Sequence, residues 1–208
     1  MPRTTNIQQE DDLYEFIKKN YTIQREPFLN LLKVVNYSLE TMRKPHLMKV
    51  VIYLPKGEAR ISEALEELQR LYKLDGCPPF LYHWAKEFIE DSTHDGLHFH
   101  LVLIGEARDK SGVEYNVWGR MNVNLHKLRE RGWIHSFDPS EPWSTSMKPH
   151  SLMGCCSCPS RRADLINWLS YNCKAETKEG LTRCYGSSQV PTSVEPLKLP
   201  QLVTTVAA

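Results

Sequence analysis

Three short apolar runs constrain this chain more than any other feature. They are Leu47–Leu54 (LMKVVIYL), Phe80–Ile89 (FLYHWAKEFI) and Leu97–Ile104 (LHFHLVLI). All are rich in β-branched and aromatic residues, bounded by proline or glycine, and too short for typical helices, so they read as buried strands. A polar loop, Glu90–Gly96, separates the last two and contains Asp95-Gly96, which signals a hairpin.

Helical periodicity surrounds these runs. Within residues 11–43, Leu13, Phe16, Ile17 and Tyr21 recur at helical spacing, and Phe28, Leu29, Leu32, Val35 and Leu39 repeat it after Pro27. Ser62–Leu74 carries Leu65, Leu68, Leu71 and Tyr72 on one stripe. A further helix is expected at Asn122–Arg131, and another at Arg161–Lys174, with Ser160 as a candidate cap. Strands mixed with helices, with one hairpin and few long crossovers, predict an α+β fold with a largely antiparallel sheet. Residues 190–208 turn to Ser, Pro, Thr and Val and read as a mobile tail.

The 208 residues allow one domain with extra helices and a tail, and fall short of the roughly 250 that a (β/α)₈ barrel needs. With 41% apolar and 25% charged residues, the chain can bury a core. It has no apolar run long enough to span a membrane. Met1–Asp12 is polar and acidic, unlike a signal or transit peptide, so the expected location is the cytoplasm with reduced thiols. Of the six cysteines, three cluster as Cys155-Cys156-Ser157-Cys158. One C-x-x-C pair without a second is a weak zinc signal, and a turn with buried or reactive thiols fits as well.

His98 and His100 lie one residue apart on a strand, so both imidazoles point to one face while Phe99 points to the other. A half-buried strand with two outward polar histidines has the same pattern. A turn centred near residue 93, however, puts residue 87 across from residues 98–100, bringing Glu87 to the histidines as a third ligand. Glu90 has the wrong parity and falls in the loop. A carboxylate and two imidazoles with open positions suit Mg²⁺, Mn²⁺ or another divalent ion.

Tyr171 and Lys174 are spaced i, i+3 and so neighbour each other on a helix. This spacing is common on amphipathic helices. A phenol is nearly all protonated at neutral pH, and a cation beside it favours the phenolate. A metal beside a nucleophilic tyrosine is a pairing that can break a phosphodiester.

These residues resemble the HUH endonuclease superfamily of rolling-circle replication initiators and relaxases. The likeness rests on the His–hydrophobic–His strand at His98-Phe99-His100, the Tyr-x-x-Lys motif at Tyr171–Lys174, and the apolar strand before them. Leu169–Lys178, Arg183–Ser187 and Trp84–Glu87 are similar to the replication-protein-like family of filamentous phages. The resemblance implies a central antiparallel sheet of four or five strands flanked by helices, spanning residues 46–189. Residues 1–45 would be a helical extension. It also implies a Mn²⁺ or Mg²⁺ ion on His98, His100 and Glu87. Tyr171 would attack a single-stranded DNA phosphate at an origin or hairpin, leaving a 5′-phosphotyrosine and a free 3′-OH. Lys174 would steady the phosphate or the departing phenolate. Positions 167, 168, 174 and 175 are Asn, Trp, Lys and Ala, so the pattern is that of a single-tyrosine enzyme. The chain has no G-x-x-x-x-G-K-[ST] motif, so a helicase and a polymerase of the host or the element are expected partners in a bacterial cytoplasm.

Cations and aromatics are interleaved over residues 107–135, including Arg120, Trp118 and Trp133. That mixture suits single-stranded DNA, and it also suits core tryptophans beside a solvated face. Arg161, Arg162, Lys148, Lys178 and Arg183 form a second basic set around Tyr171. A net charge of +1 averages 13 basic and 15 acidic residues over 1–100 with 13 and 10 over 101–208. Two other readings remain at this point: a relaxase or transposase with the same chemistry, and a non-enzymatic DNA-binding regulator with zinc at Cys155–Cys158.

Overall fold

The computed structural model describes residues 22–55, 60–88, 97–107, 116–138, 150–156, 159–175, 181 and 184–198. The hairpin turn, residues 11–21 and Cys158 lie outside the described residues.

The described elements run α1 (Arg25–Thr41), β1 (Pro45–Tyr53), α2 (Ile61–Leu74), β2 (Leu81–Phe88), β3 (Leu97–Glu106), α3 (Val117–Glu130), β4 (Ser136–Asp138), β5 (His150–Ser151), α4 (Leu152–Cys156), α5 (Pro159–Ser170) and β6 (Tyr185–Ser187). The sheet order is β4-β1-β3-β2-β6, with β5 also on β1, and every pairing is antiparallel. The fold is therefore α+β, with an antiparallel sheet, five strands along its main order and β5 beside β1, between flanking helices. The chain leaves β1, crosses through α2 to β2, and returns as β3 between them, a split βαβ unit.

Both faces of the sheet are covered, which explains why β1 and β3 read as continuous apolar runs rather than alternating ones. On one face, Met48, Val50 and Ile52 of β1 and Phe99, Leu101 and Leu103 of β3 pack against α2 and α3. On the other, Leu47, Val102 and Ile104 pack against Phe28, Leu31, Leu32 and Val35 of α1 and Leu165, Ile166 and Leu169 of α5. Each such apolar side chain contributes about 1.5–3 kcal/mol on burial. The helix expected as an N-terminal extension thus shares a core with the sheet.

Several boundaries differ from the sequence expectation. Helix α3 begins five residues before Asn122, because the Asn116 side chain accepts from the Gly119 N–H and caps an earlier start. Helix α5 starts at Pro159, a residue suited to a first helical position, so Ser160 lies inside it. It ends at Ser170, before the tyrosine. Residues 190–198, the front of the stretch expected as a mobile tail, lie against α1. There Val194 and Leu197 are buried, and the Leu197 N–H donates to the Leu32 carbonyl at 3.2 Å. Residues 199–208 lie outside the described residues. Among the described residues, no helix is long and apolar enough to cross a membrane.

Candidate metal centre and its tyrosine

Strand parity assembles the centre. In the β2–β3 ladder, Glu87 is the direct partner of His98, and Ala85 is the partner of His100. Phe88 pairs with Leu97, which centres the turn where the hairpin reading put it. On the β1 side, Val51 is the partner of His100. Phe99 fills the opposite core. Glu87, His98 and His100 therefore share the face covered by α1 and α5, and all three are buried.

Their donor atoms converge within 4.8 Å of one another, and they form a group that can hold a metal ion. His98 Nε2 and His100 Nε2 are 3.1 Å apart, and Glu87 Oε2 is 3.2 Å from His100 Nε2 and 4.0 Å from His98 Nε2. Adjacent ligands of a six-coordinate ion with bonds of about 2.1 Å sit roughly 3 Å apart. Two of the three separations match this, and the third, His98 to Glu87, is longer. The donor chemistry, one carboxylate and two imidazoles, fits a divalent cation with positions left for other ligands. The Tyr53 ring lies 5.7 Å from that of His98, centroid to centroid, at the open end of β1.

The tyrosine arrives by a different route. After Ser170 the backbone tightens from α5 into a single 3₁₀ turn, Tyr171–Cys173, and Lys174 leaves it extended at φ −62°, ψ 146°. Tyr171 and Lys174 were expected within one α-helix. The tighter turn replaces that arrangement because Cys173 is buried and the next residues pair with the segment before α1. Ile23 bridges Lys174, the Gln24 N–H donates to the Cys173 carbonyl at 2.9 Å, and the Ala175 N–H donates to the Thr22 carbonyl at 2.8 Å. The Tyr185 hydroxyl of β6 donates to the Lys174 carbonyl at 3.1 Å.

This scaffold points both side chains at the metal centre. Lys174 Nζ donates to the Tyr171 hydroxyl at 2.8 Å and lies 3.3 Å from Glu87 Oε2. The Tyr171 ring is edge-to-face with His100, their centroids 6.0 Å apart. Burial pulls the Lys174 pKa down, but the Glu87 carboxylate and the Tyr171 hydroxyl more than offset this and hold it above the ordinary lysine value. The ammonium therefore stays charged across the neutral range.

Among the described residues, the basic side chains expected to contact DNA are scattered. Arg161 is exposed on the first turn of α5, about 15 Å along the helix from Tyr171. Arg162 is tied to backbone: NH2 donates to the Cys156 carbonyl at 2.6 Å and NH1 to the Lys198 carbonyl at 3.3 Å. Arg120 projects from α3, on the other side of the sheet, with NH1 3.5 Å from the Asp75 carbonyl. Trp118 packs on that same core, while Trp133 is partly exposed. Lys148, Lys178 and Arg183 lie outside the described residues. Of the cysteine cluster, only Cys156 has a described side chain, and it is half-buried.

Sequence reasoning missed Lys49, whose Nζ lies 4.8 Å from the Trp168 ring centroid and 5.4 Å from that of Tyr171. The available signal was a single lysine inside the otherwise apolar run LMKVVIYL. No family model, curated protein or solved structure matches the chain.

Proposed function

We propose that the chain is a metal-dependent endonuclease and strand transferase for single-stranded DNA, with Tyr171 as nucleophile. The observation that carries this reading is an unbroken series of contacts. It runs from the Tyr171 hydroxyl through Lys174 to Glu87 and the His98/His100 pair. A purely structural tyrosine does not need a buried cation on its oxygen and a metal-ligand set beyond it.

Glu87, His98 and His100 would hold a divalent ion, Mn²⁺ or Mg²⁺, which would supply charge to polarise the non-bridging oxygens of a phosphodiester. The Tyr171 oxygen attacks phosphorus, forming the tyrosyl O–P bond as the bond from phosphorus to the 3′ oxygen breaks. The proton lost by the phenol is balanced by the one gained at the 3′ oxygen. Lys174 stabilises negative charge on the phenolic oxygen when it attacks and again when it departs, so the strand can be rejoined. The free 3′-OH can prime synthesis, which suits initiation of rolling-circle replication of a phage or plasmid-like element. Relaxase or transposase work would use the same chemistry on a different DNA.

The test is incubation with a labelled single-stranded oligonucleotide and Mn²⁺ or Mg²⁺, followed by a denaturing gel. A covalent protein–DNA adduct is expected, and Tyr171→Phe removes it while DNA binding is retained. An adduct that persists in Tyr171→Phe overturns the assignment of the nucleophile.

A further inference from the structure

Lys49 occupies an unusual place. It lies in the middle of β1, paired with Val102 of β3, in a strand whose other inner residues are apolar. Its parity puts it on the face that carries His98, His100 and Glu87, and the residue is only 7% exposed. Placing an ammonium there is costly unless something compensates for the lost water. Two aromatic rings do so in part: Trp168 from α5 at 4.8 Å and Tyr171 from the 3₁₀ turn at 5.4 Å. Such cation–π contacts strengthen when desolvated.

The consequence falls on Tyr171. Its turn is short and follows the end of α5, so the helix alone does not fix the ring. Lys174, from the same turn, holds the hydroxyl and also lies over the ring, 4.1 Å from its centroid. Lys49 adds a second cation at 5.4 Å from a different element, the rigid central strand. Trp168 is three residues before Tyr171, and the same ammonium lies over both rings, so one strand residue links the end of α5 to the turn that carries the tyrosine.

We propose that Lys49 is a positioning residue that fixes the Tyr171 ring relative to the metal centre through its shared contact with Trp168. The part of this that concerns strand cleavage rests on the function proposed above. The ring-fixing part stands without it. Holding the ring limits the rotation that would carry the phenolic oxygen away from a bound phosphate, and near-attack geometry of this kind is worth orders of magnitude in rate.

The test uses the full chain labelled with 3-fluorotyrosine, with the Tyr171 resonance assigned by its loss in Tyr171→Phe. Lys49→Met keeps the aliphatic stem and removes the charge, and Lys49→Arg keeps a cation over the rings. In Lys49→Met the Tyr171 fluorine resonance shifts or broadens, without DNA or metal, and Lys49→Arg restores it. In the same proteins the single-turnover adduct rate at saturating DNA falls about 10- to 100-fold in Lys49→Met. The oligonucleotide Kd moves less than about threefold, and Lys49→Arg recovers most of the rate. An unmoved fluorine resonance in folded Lys49→Met overturns the proposal. So does a Kd that weakens as much as the rate falls, because Lys49 would then be gripping the DNA. If Lys49→Met does not fold, Lys49→Arg and Trp168→Leu replace it. Trp168→Leu must then move the same resonance, and failure to do so overturns the proposal. A resonance that moves as expected in a protein whose wild type forms no adduct overturns the nuclease reading alone.

Discussion

Lys174 Nζ lies 2.8 Å from the Tyr171 hydroxyl, and the same ammonium is 3.3 Å from Glu87. One cation therefore serves the candidate nucleophile and a candidate metal ligand together. The two roles pull in opposite directions. Lys174 favours negative charge on the tyrosine, yet it competes with a metal ion for the Glu87 carboxylate.

Lys174→Met should separate them. Losing the cation at the attacking oxygen is expected to slow single-turnover adduct formation by about 100-fold or more. Removing the competing charge should tighten Mn²⁺ binding by roughly tenfold, since like charges on one buried carboxylate repel strongly at low dielectric. Titration calorimetry and a quenched adduct assay on the same preparation check both signs. Weaker Mn²⁺ binding in Lys174→Met would show that Lys174 orders Glu87 rather than competing for it.

Removing either imidazole should cost more in affinity than removing the lysine gains. His98→Ala and His100→Ala are each expected to weaken Mn²⁺ binding by at least about 100-fold. In the wild type, a metal concentration about 100 times Kd adds roughly 2.7 kcal/mol of stability, which a chelator removes. Thermal melts with Mn²⁺ and then with chelator should show this shift in wild type and neither histidine variant. Glu87→Ala is expected to lower metal-free stability by about 3 kcal/mol, because it leaves Lys174 beside an unfilled buried site.

Glu67 gives a pH dependence away from the centre. Its carboxylate accepts from Arg70 at 2.6 and 2.7 Å and from Arg131 at 2.6 Å, linking α2 to the residue after α3. The Arg70 hydrogen bond, with Arg131 adding to it, holds the Glu67 pKa below its ordinary 4.5 despite an opposing effect of burial. A lowered folded pKa means that the stabilisation is fully present above the unfolded value and is lost as pH falls through the folded one. Glu67→Gln should therefore cost about 0.5–1 kcal/mol at pH 7 and much less at an acid pH below the lowered folded pKa. Urea melts at both pH values check it, and an equal loss at both would mean that charge is not the cause.

Gly186 should resist substitution. It pairs with Trp84 across the β2–β6 ladder, and a Cβ at position 186 would fall 2.5 Å from the Trp84 ring. Trp84 is itself buried and edge-on to Phe99, 5.8 Å between centroids, so its ring has little room to move. Gly186→Ala is expected to destabilise the chain by about 1–3 kcal/mol through overpacking. Denaturant melts measure it, and an unchanged midpoint would show that β6 can shift off Trp84.

The local part of the centre was legible in the sequence. Two histidines one residue apart must share a strand face, and a turn centred near 93 carries Glu87 to them, because both follow from a two-residue period. The pairing of Glu87 with His98 bears this out. The α+β class, the three long strands and α2 also followed from periodicity and length. Short β6 has no pattern of its own: Tyr185–Ser187 becomes a strand only because β2 presents an edge.

What surrounds the tyrosine could be read only from the folded chain. The spacing of Tyr171 and Lys174 is a sequence fact, but their approach to Glu87 depends on α5 packing across β1 and β3. It depends also on residues 22–24 gripping the turn from about 150 positions away. Lys49 contacts Tyr171 from 122 residues away. No spacing encodes such contacts, because they arise when two apolar faces, each legible by itself, bury against one another. Sequence periodicity determined which side each residue of a strand or helix would present. Only the packing of α1 and α5 on one face of the sheet decided that the sides carrying His98, His100, Glu87, Lys49 and Tyr171 would meet.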